Sequence, residues 1–242
     1  MKTYAIGDLH GRFDLLCRAI ALIERDAGND GGTLVVLGDF VDRGPQSRSI
    51  IDLLMAGPQS PNWRWIVLQG NHEDIMLQTL ANPERHLRWW AGNGGVQTLQ
   101  SYGYVQGDKI VPLKVPTDHL DWLAALPVWH EDAHRIFVHA GVPPHQTLTE
   151  AKRETLQWML YPSDESYPDA EIHDDLPHCS GKHVVHGHHQ SEYHPLLKPH
   201  RTNLDSFAWL TGRLAIGVFS DDQAEPIEIM AAYSNPFEGL TA

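Results

Sequence analysis

The chain has 242 residues, a formal net charge of −13 and 42% hydrophobic residues, which suits one large domain with a substantial core. Such a negative surface repels the nucleic-acid backbone, so we expect no nucleic-acid partner. No apolar run approaches the ~20 residues that span a bilayer, no signal peptide precedes the first strand pattern, and two cysteines make no disulfide framework. We therefore expect a cytoplasmic protein with no membrane partner.

The first third of the chain alternates strand patterns with helical patterns. Strands are predicted at residues 3–6, 33–37 and 65–68, each followed by a helix. This order favours parallel strands joined by crossover helices. In the first helix, at residues 12–26, Cys17 lies in an apolar stripe, so we expect its side chain in the core.

The rest of the chain is less regular. Residues 83–126 are helical and aromatic in character, and we expect a cap insertion there rather than a second domain. Residues 161–181 are rich in Pro, Asp, Ser and His, which predicts a long mobile loop near a functional site. Four more strands are predicted, at residues 135–138, 183–185, 214–219 and 226–230. We expect the last two of them to close a second sheet.

Polar side chains stand beside glycines directly after five of these strand patterns. At the carboxyl ends of buried strands, such side chains are placed to act as oxygen and nitrogen ligands. The five segments are Gly7-Asp8-Leu9-His10-Gly11, Gly38-Asp39-Phe40-Val41-Asp42-Arg43-Gly44, Gly70-Asn71-His72-Glu73, His139-Ala140-Gly141 and Gly187-His188.

The residue types in these segments suit a metal site. Asp8 and His10 are two apart, so in extended backbone their side chains face the same way, although the same short pattern also occurs as a helix cap beside a surface histidine. Asp39 follows a wholly apolar strand, where a carboxylate is costly unless it is paired or bound to metal. Its two oxygens could bridge two ions. Further donors come from one amide and two imidazoles, those of Asn71, His139 and His188.

The order and residue types of the five segments resemble the calcineurin-like metallophosphoesterases, in particular the phosphoprotein-phosphatase branch with its bacterial and phage members. The resemblance runs from Asp8 to about Asp205. It implies one α/β domain over residues 1–242, built as a four-layer α+β sandwich. Two mixed sheets would be flanked by helices, with a dinuclear metal site at the strand carboxyl ends.

The resemblance also implies the metal ligands. Two divalent ions are expected, with manganese first, and iron or zinc as alternatives because mixed oxygen and nitrogen donors do not select one metal. The first ion would take Asp8, His10 and Asp39. The second ion would share Asp39 and would also take Asn71, His139 and His188.

Three further residues are expected to act on the substrate by the same resemblance. His72 would protonate the leaving oxygen, and Asp42 would orient the His72 ring. An imidazole near two cations needs a carboxylate partner to keep its proton. Arg43 would bind phosphate, because its planar fork suits two phosphate oxygens. The alternatives are that His72 and Asp42 only support the ligands and that Arg43 forms a salt bridge.

The implied reaction is hydrolysis of phosphate monoesters by in-line attack of a metal-bridging hydroxide. The leading substrate is a phosphorylated protein, cleaved at phosphoserine or phosphothreonine, with a small phosphorylated substrate also allowed. The alternative is a symmetrical bis(5'-nucleosyl)-tetraphosphatase, which hydrolyses diadenosine tetraphosphate. A metal-binding scaffold without catalysis is the third candidate. The pattern does not distinguish oligomeric states.

Two positions depart from the family pattern. Leu160 stands where the family often has a second phosphate-binding arginine, and Arg153 is a candidate replacement. Gln190 stands where broader metallophosphoesterases have a second ligand histidine, which favours the phosphoprotein-phosphatase branch.

Overall fold

The computed structural model describes residues 1–105, 107, 115–161, 176–190 and 195–234. In chain order its strands are β1 (Lys2–Ile6), β2 (Gly32–Val36), β3 (Trp63–Val67), β4 (Trp129–Glu131), β5 (Arg135–Val138), β6 (His183–His186), β7 (Leu196–Leu197), β8 (Arg201–Asn203), β9 (Arg213–Phe219) and β10 (Glu228–Tyr233). Its α-helices are α1 (Phe13–Ala27), α2 (Ser47–Ala56), α3 (Asn71–Ala81), α4 (Pro83–Trp90), α5 (Val96–Ser101), α6 (Thr117–Ala125), α7 (Arg153–Trp158) and α8 (Ala208–Thr211). A π-helical turn, Ala91–Gly95, joins α4 to α5.

The first sheet has the strand order β10-β9-β1-β2-β3. Strands β1, β2 and β3 are parallel, which confirms the predicted crossover units. The prediction that the last two strands close a second sheet is wrong. Instead β9 pairs antiparallel with β1, placing Ile216 opposite Ile6, and β10 pairs with β9. An apolar strand pattern identifies a strand, but it does not identify a partner some 200 residues away.

The second sheet has the order β4-β5-β6-β8-β7. Its three central strands are parallel, and β4 and β7 are antiparallel edges. Both sheets are therefore mixed. The central strands of each sheet end in polar residues, so the parallel geometry brings these residues to one edge of each sheet.

The two sheets pack face to face. Between them lies an apolar layer with Val35 and Leu37 from the first sheet region and Phe137 and Val185 from the second. A larger core joins the other face of the first sheet to the helices, and a smaller one covers the second sheet on its outer side. The layers are therefore the helices, the first sheet, the second sheet and the segments that cover its outer side. This order confirms the predicted four-layer fold.

Helix α1 buries one stripe of side chains against the first sheet. Leu15, Leu16, Ala19 and Ile23 are buried on it. Cys17 is exposed, so its predicted place in the core is wrong. Residue 17 lies about 200° around the helix from residue 15 at 3.6 residues per turn, and it therefore points away from the buried stripe.

The expected cap region contains helices α4 to α6 among its described residues, and α4 packs beside α3. That residues 83–126 form an insertion within a single domain stays a prediction. Of the loop predicted at 161–181, residues 162–175 lie outside the described residues. Among the residues that are described, no helix has both the length and the apolar character needed to cross a membrane.

Candidate metal and active site

The candidate ligands lie where the central strands end. Asp8 and His10 follow β1, Asp39 follows β2, and Asn71 opens α3 after β3. From the second sheet, His139 follows β5 directly and His188 lies two residues beyond β6. These strand ends lie at one shared edge of the two sheets, and all of the candidate ligands except the fully buried His139 line a cavity of about 460 Å³ there.

Asp39 stands between two groups of imidazoles. Its Oδ2 atom lies 3.8 Å from His10 Nε2, and its Oδ1 atom lies 3.4 Å from His139 Nε2. Burial alone would raise the pKa of this carboxyl, but the neighbouring His139 and His72 lower it well below its ordinary value. An ionised carboxylate with an imidazole near each oxygen suits a bridging role between two cations.

The second group of donors is tightly clustered. Asn71 Oδ1 lies 2.8 Å from His139 Nε2 and 3.1 Å from His188 Nδ1, and the two ring nitrogens are 3.2 Å apart. Donors about 3 Å apart have the spacing of neighbouring ligands around an ion with bonds of about 2.1 Å. The residues present therefore fit a divalent metal ion.

Backbone carbonyls fix the orientation of two of the histidines. His10 Nδ1 donates to the carbonyl of Val41 at 2.9 Å, and His139 Nδ1 donates to that of Leu37 at 3.0 Å. With Nδ1 donating to a carbonyl, the Nε2 atom of each ring is left on the side of Asp39, where it is placed to bind a metal. Burial lowers the pKa of His139, but the Asp39 carboxylate outweighs it and raises that pKa to about 10. The carboxylate thus attracts positive charge to this point.

Asp8 lies in the wall of the same cavity and is buried. Its Oδ1 atom accepts a hydrogen bond from the His188 backbone N–H at 3.1 Å. Burial raises the pKa of Asp8 well above its ordinary value, and the nearby Asp205 carboxylate adds to the rise. A bound cation would offset both effects, so the placement of Asp8 is compatible with its predicted role.

Two clusters in the described part of the chain bring three candidate donors within 4.8 Å of one another, and both contain Asp39. One is Asp39 with His139 and His188, as predicted for the second ion. The other is Asp39 with His10 and His72, so His72 stands close to the donors predicted for the first ion. The ligand assignments themselves stay predictions.

His72 is held by a network of hydrogen bonds that is centred on Asp42. Its Nδ1 lies 2.7 Å from Asp42 Oδ2, and Asp42 is fully buried. The Asp42 carboxylate also accepts hydrogen bonds from Trp90 Nε1 at 2.9 Å and Thr98 Oγ1 at 2.7 Å. Burial lowers the pKa of His72, but the carboxylates of Asp39 and Asp42 outweigh it and raise that pKa. A protonated imidazole facing the cavity is what a general acid requires.

Arg43 reaches across the same cavity. Its guanidinium lies 2.7 Å from His10 Nε2, 3.3 Å from His72 Nε2 and 3.0 Å from Gln190 Oε1. Its backbone N–H donates to the carbonyl of Gly94 at 3.0 Å. These contacts aim the guanidinium at the space that the candidate ligands surround, as the phosphate-binding prediction requires.

Left-handed backbone marks the same cavity. Six non-glycine residues among those described have φ between 42° and 71°, and each is a candidate site residue or lines the cavity. Such conformations cost of order 1 kcal/mol or more each and persist where surrounding structure enforces them, often at functional sites. The six are His10, Asp39, Asp42, Arg43, His188 and Phe207.

Sequence reasoning missed the part played by Glu73. Its buried carboxylate accepts four backbone N–H hydrogen bonds at 2.8–3.1 Å, from Asp39, Phe40, Val41 and Gly70. Burial raises the pKa of Glu73 to about 7, with Asp39 adding to the rise. A glutamate at the third position of a helix that opens after Gly70 is a capping signal, and it could have been identified from the sequence.

The predicted departures from the family pattern also have places in the structure. Leu160 lines the cavity where an arginine was expected. Arg153 hydrogen-bonds to Gln69 Oε1, which directs it to the β3 loop. Gln190 lines the cavity and its Oε1 atom accepts a hydrogen bond from Arg43 at 3.0 Å.

Comparison with known proteins agrees with this geometry. The model of the calcineurin-like phosphoesterase family matches residues 1–223. A symmetrical bis(5'-nucleosyl)-tetraphosphatase of Dechloromonas aromatica is 32% identical over 153 residues, covering 63% of this chain and 48% of that protein. The chain thus spans about half the length of the curated relatives it matches.

Solved structures share the fold over most of the chain. A candidate diadenosine tetraphosphatase superposes with a TM-score of 0.65 at 21% identity, covering 97% of this chain and 94% of that one. A protein serine/threonine phosphatase from Saccharomyces cerevisiae gives a TM-score of 0.51 at 17% identity, covering 97% and 80%. On the family match, the fold and the convergence of the five strand-end segments, the chain belongs to the calcineurin-like phosphoesterase family.

Proposed function

We propose that the chain hydrolyses dinucleoside tetraphosphates symmetrically, using two divalent metal ions. The observation that supports the chemistry is the position of Asp39, whose two carboxylate oxygens face separate sets of donors inside a cavity that Arg43 also lines. The substrate class is supported by curated relatives that match 63% of the chain and are symmetrical bis(5'-nucleosyl)-tetraphosphatases.

One ion would be held by Asp8, His10 and Asp39, and the other by Asp39 with the amide and imidazoles of Asn71, His139 and His188. Bound there, two divalent cations would lower the pKa of a water ligand and draw charge from the phosphoryl oxygens. We propose manganese as the metal on the strength of the family resemblance, with iron and zinc as the alternatives because nitrogen and oxygen donors do not select one metal.

The chain's own side chains would orient the substrate and move the proton. Arg43 would bind two oxygens of the reacting phosphate through its fork. His72 would donate its Nε2 proton to the departing phosphate oxygen, while Asp42 accepts from Nδ1 and keeps the ring charged. Symmetrical cleavage of a tetraphosphate would release two nucleoside diphosphates.

The prediction of a serine/threonine protein phosphatase uses the same chemistry and remains untested. We prefer the dinucleotide because the curated relatives compared with this chain are symmetrical bis(5'-nucleosyl)-tetraphosphatases. Both substrates present a phosphate to the same candidate ligands and to Arg43, so the candidate site does not separate them.

The test is an activity panel on protein reconstituted with manganese, iron or zinc. Diadenosine tetraphosphate, a phosphoserine peptide and p-nitrophenyl phosphate are compared at equal concentration, and nucleotide products are separated by chromatography. We expect adenosine diphosphate as the nucleotide product, formed faster than the peptide is dephosphorylated. Faster turnover of the peptide would restore the protein-phosphatase prediction, and no turnover of any substrate would favour the scaffold alternative.

A further inference from the structure

Two exposed tryptophans lie at the cavity. Trp89, at the end of α4, is 49% exposed, and Trp158, at the end of α7, is 38% exposed. Both line the cavity that holds the candidate metal ligands. By contrast, the neighbouring Trp90 is fully buried and donates to Asp42. Two large aromatic surfaces left open to solvent at a polar cavity indicate a binding role, since Trp is usually well buried.

The two rings form one continuous aromatic surface. Their centroids are 6.0 Å apart with the planes inclined by 27°, an offset stacked arrangement. The Trp158 ring also meets the His188 ring edge to face at 6.0 Å. The surface therefore begins next to a candidate metal ligand and extends away from it through Trp158 to Trp89.

The backbone on both sides of this surface is anchored. Next to Trp158, Gln157 Nε2 donates to the carbonyl of Gly70 at 3.1 Å, just before the candidate ligand Asn71. On the other side, Asn93 Nδ2 donates to the carbonyl of Trp89 at 2.9 Å. The Gln157 contact holds the Trp158 end of the aromatic surface beside the strand-end cluster, so one ligand can contact both.

We propose that Trp89 and Trp158 bind one nucleobase of the substrate by stacking, while its phosphates lie towards Arg43 and the candidate metal ligands. This inference rests on the proposed function and names the element that would select a nucleotide. Stacking needs the flat face of a base and an aromatic ring against which that face can lie, and the uncharged tryptophan rings supply the second part. The phosphates need positive charge, which Arg43 supplies from the wall of the same cavity.

The first test measures binding and does not need turnover. Adenosine monophosphate and ribose 5-phosphate are titrated into the full chain by calorimetry, because they share a phosphate and differ in the base. We expect the wild-type protein to bind the adenine compound more tightly, on the order of tenfold. Trp89→Leu should remove most of that preference, and Trp89→Phe should retain much of it because the phenyl ring still stacks.

Tyr233→Leu is the matched control, since Tyr233 is 62% exposed on β10 and is absent from the cavity wall. It should leave both affinities unchanged. The inference is overturned if Trp89→Leu leaves the adenine preference intact, or if it weakens ribose 5-phosphate as much as adenosine monophosphate. Either result would mean that the aromatic surface does not contact the base.

The second test uses kinetics and separates this inference from the proposed function. For diadenosine tetraphosphate, Trp89→Leu should raise KM on the order of tenfold and change kcat little, because stacking is remote from the reacting phosphorus. Cleavage of the dinucleotide with an unchanged KM in Trp89→Leu would refute the inference alone. An adenine preference that depends on Trp89, in a protein that fails to cleave the dinucleotide, would support the inference and refute the proposed function.

A phosphopeptide provides the remaining comparison. If Trp89→Leu lowers kcat/KM for a phosphoserine peptide as strongly as for the dinucleotide, the surface binds peptide side chains and the base-stacking inference fails. We expect the peptide value to change less than twofold, since a peptide without an aromatic residue has no flat face to stack.

Discussion

The strand-end part of the cavity and its helical part hold their side chains in different ways. Asp39, His10 and His188 depend on left-handed backbone in short glycine-flanked loops, so each position is enforced by the fold. Trp89 and Trp90 depend on their place around the regular helix α4, which turns one ring outwards and the other into the Asp42 network. The loops admit little change, whereas the exposed ring of Trp89 takes no part in the hydrogen bonds of the Asp42 network. We therefore propose that reactivity and substrate choice depend on different parts of the cavity.

The strongest challenge to this comparison is Asp39→Asn. The asparagine side chain keeps the shape of the aspartate, but it has no charge and only one oxygen. It therefore cannot offer one oxygen to each of the two proposed ions. We expect activity near background and fewer than two metal ions per chain, measured by p-nitrophenyl phosphate turnover and elemental analysis. Asp121→Asn on α6, an exposed site, should behave as wild type. Full metal content with normal turnover in Asp39→Asn would contradict the dinuclear proposal.

The next largest effect is expected from His72→Asn. A general acid contributes about 10²–10⁴-fold, and more when the leaving group is poor. Turnover of phenyl phosphate should therefore fall much more than that of p-nitrophenyl phosphate, while metal content stays at the wild-type level. Asp42→Asn should show the same leaving-group dependence, because Asp42 holds the His72 proton. An equal loss on both substrates, or loss of metal, would indicate that His72 acts as a ligand.

Gly94→Ala tests how the helical part positions the reactive part. A Cβ at this position would lie 2.6 Å from the Arg43 backbone nitrogen, and φ is +100°. We expect phosphate binding to weaken and stability to fall by about 1–3 kcal/mol, measured by KM and by denaturant unfolding. Gly92→Ala is the control because a Cβ there meets nothing within 4 Å. Equal behaviour of the two variants would show that the Gly94 contact does not hold Arg43.

Local segments made the convergence of the ligand candidates predictable. Each candidate follows a strand within a short segment that contains a glycine, so its edge of the sheet follows from short-range pattern. The network behind His72 was not predictable in this way, because Trp90 lies 48 residues from Asp42 and Thr98 lies 56 residues away. Which helix meets which loop depends on tertiary packing.

The same limit explains the wrong sheet for β9 and β10. Their apolar pattern was correctly identified as strand, but pairing with β1 depends on contacts between the two ends of the chain. Cys17 shows the limit on a smaller scale. Its neighbours are apolar on both sides of the helix, so composition alone does not locate the buried stripe.

Glu73→Gln should have a smaller effect that falls mainly on stability. The carboxylate orders the backbone around Asp39 by accepting four N–H bonds, and an amide can present only one oxygen to them. We expect a loss of about 1–3 kcal/mol in the free energy of unfolding. Glu24→Gln, an exposed site on α1, supplies the baseline. Unchanged stability in Glu73→Gln would show that water or other groups satisfy these donors equally well.

The smallest effect is expected at the opposite end of β6 from the site. His183 is 4% exposed and lies 2.9 Å from Thr202 Oγ1, and burial lowers its pKa to about 4. The unfolded chain protonates this ring near pH 6.5, and the folded protein does so only near pH 4. The contribution of His183 to the free energy of unfolding is therefore fully present above pH 6.5 and is lost as the pH falls from 6.5 to 4. Between pH 7 and pH 5, the free energy of unfolding should fall by about 1–2 kcal/mol less in His183→Gln than in wild type. His145 is exposed, and His145→Gln should match wild type. The effect should appear in denaturant unfolding measured at each pH. Because His183 is remote from the cavity, kcat at pH 7 should stay unchanged. If the free energy of unfolding depends on pH in the same way in wild type and His183→Gln, the burial of His183 does not limit acid stability.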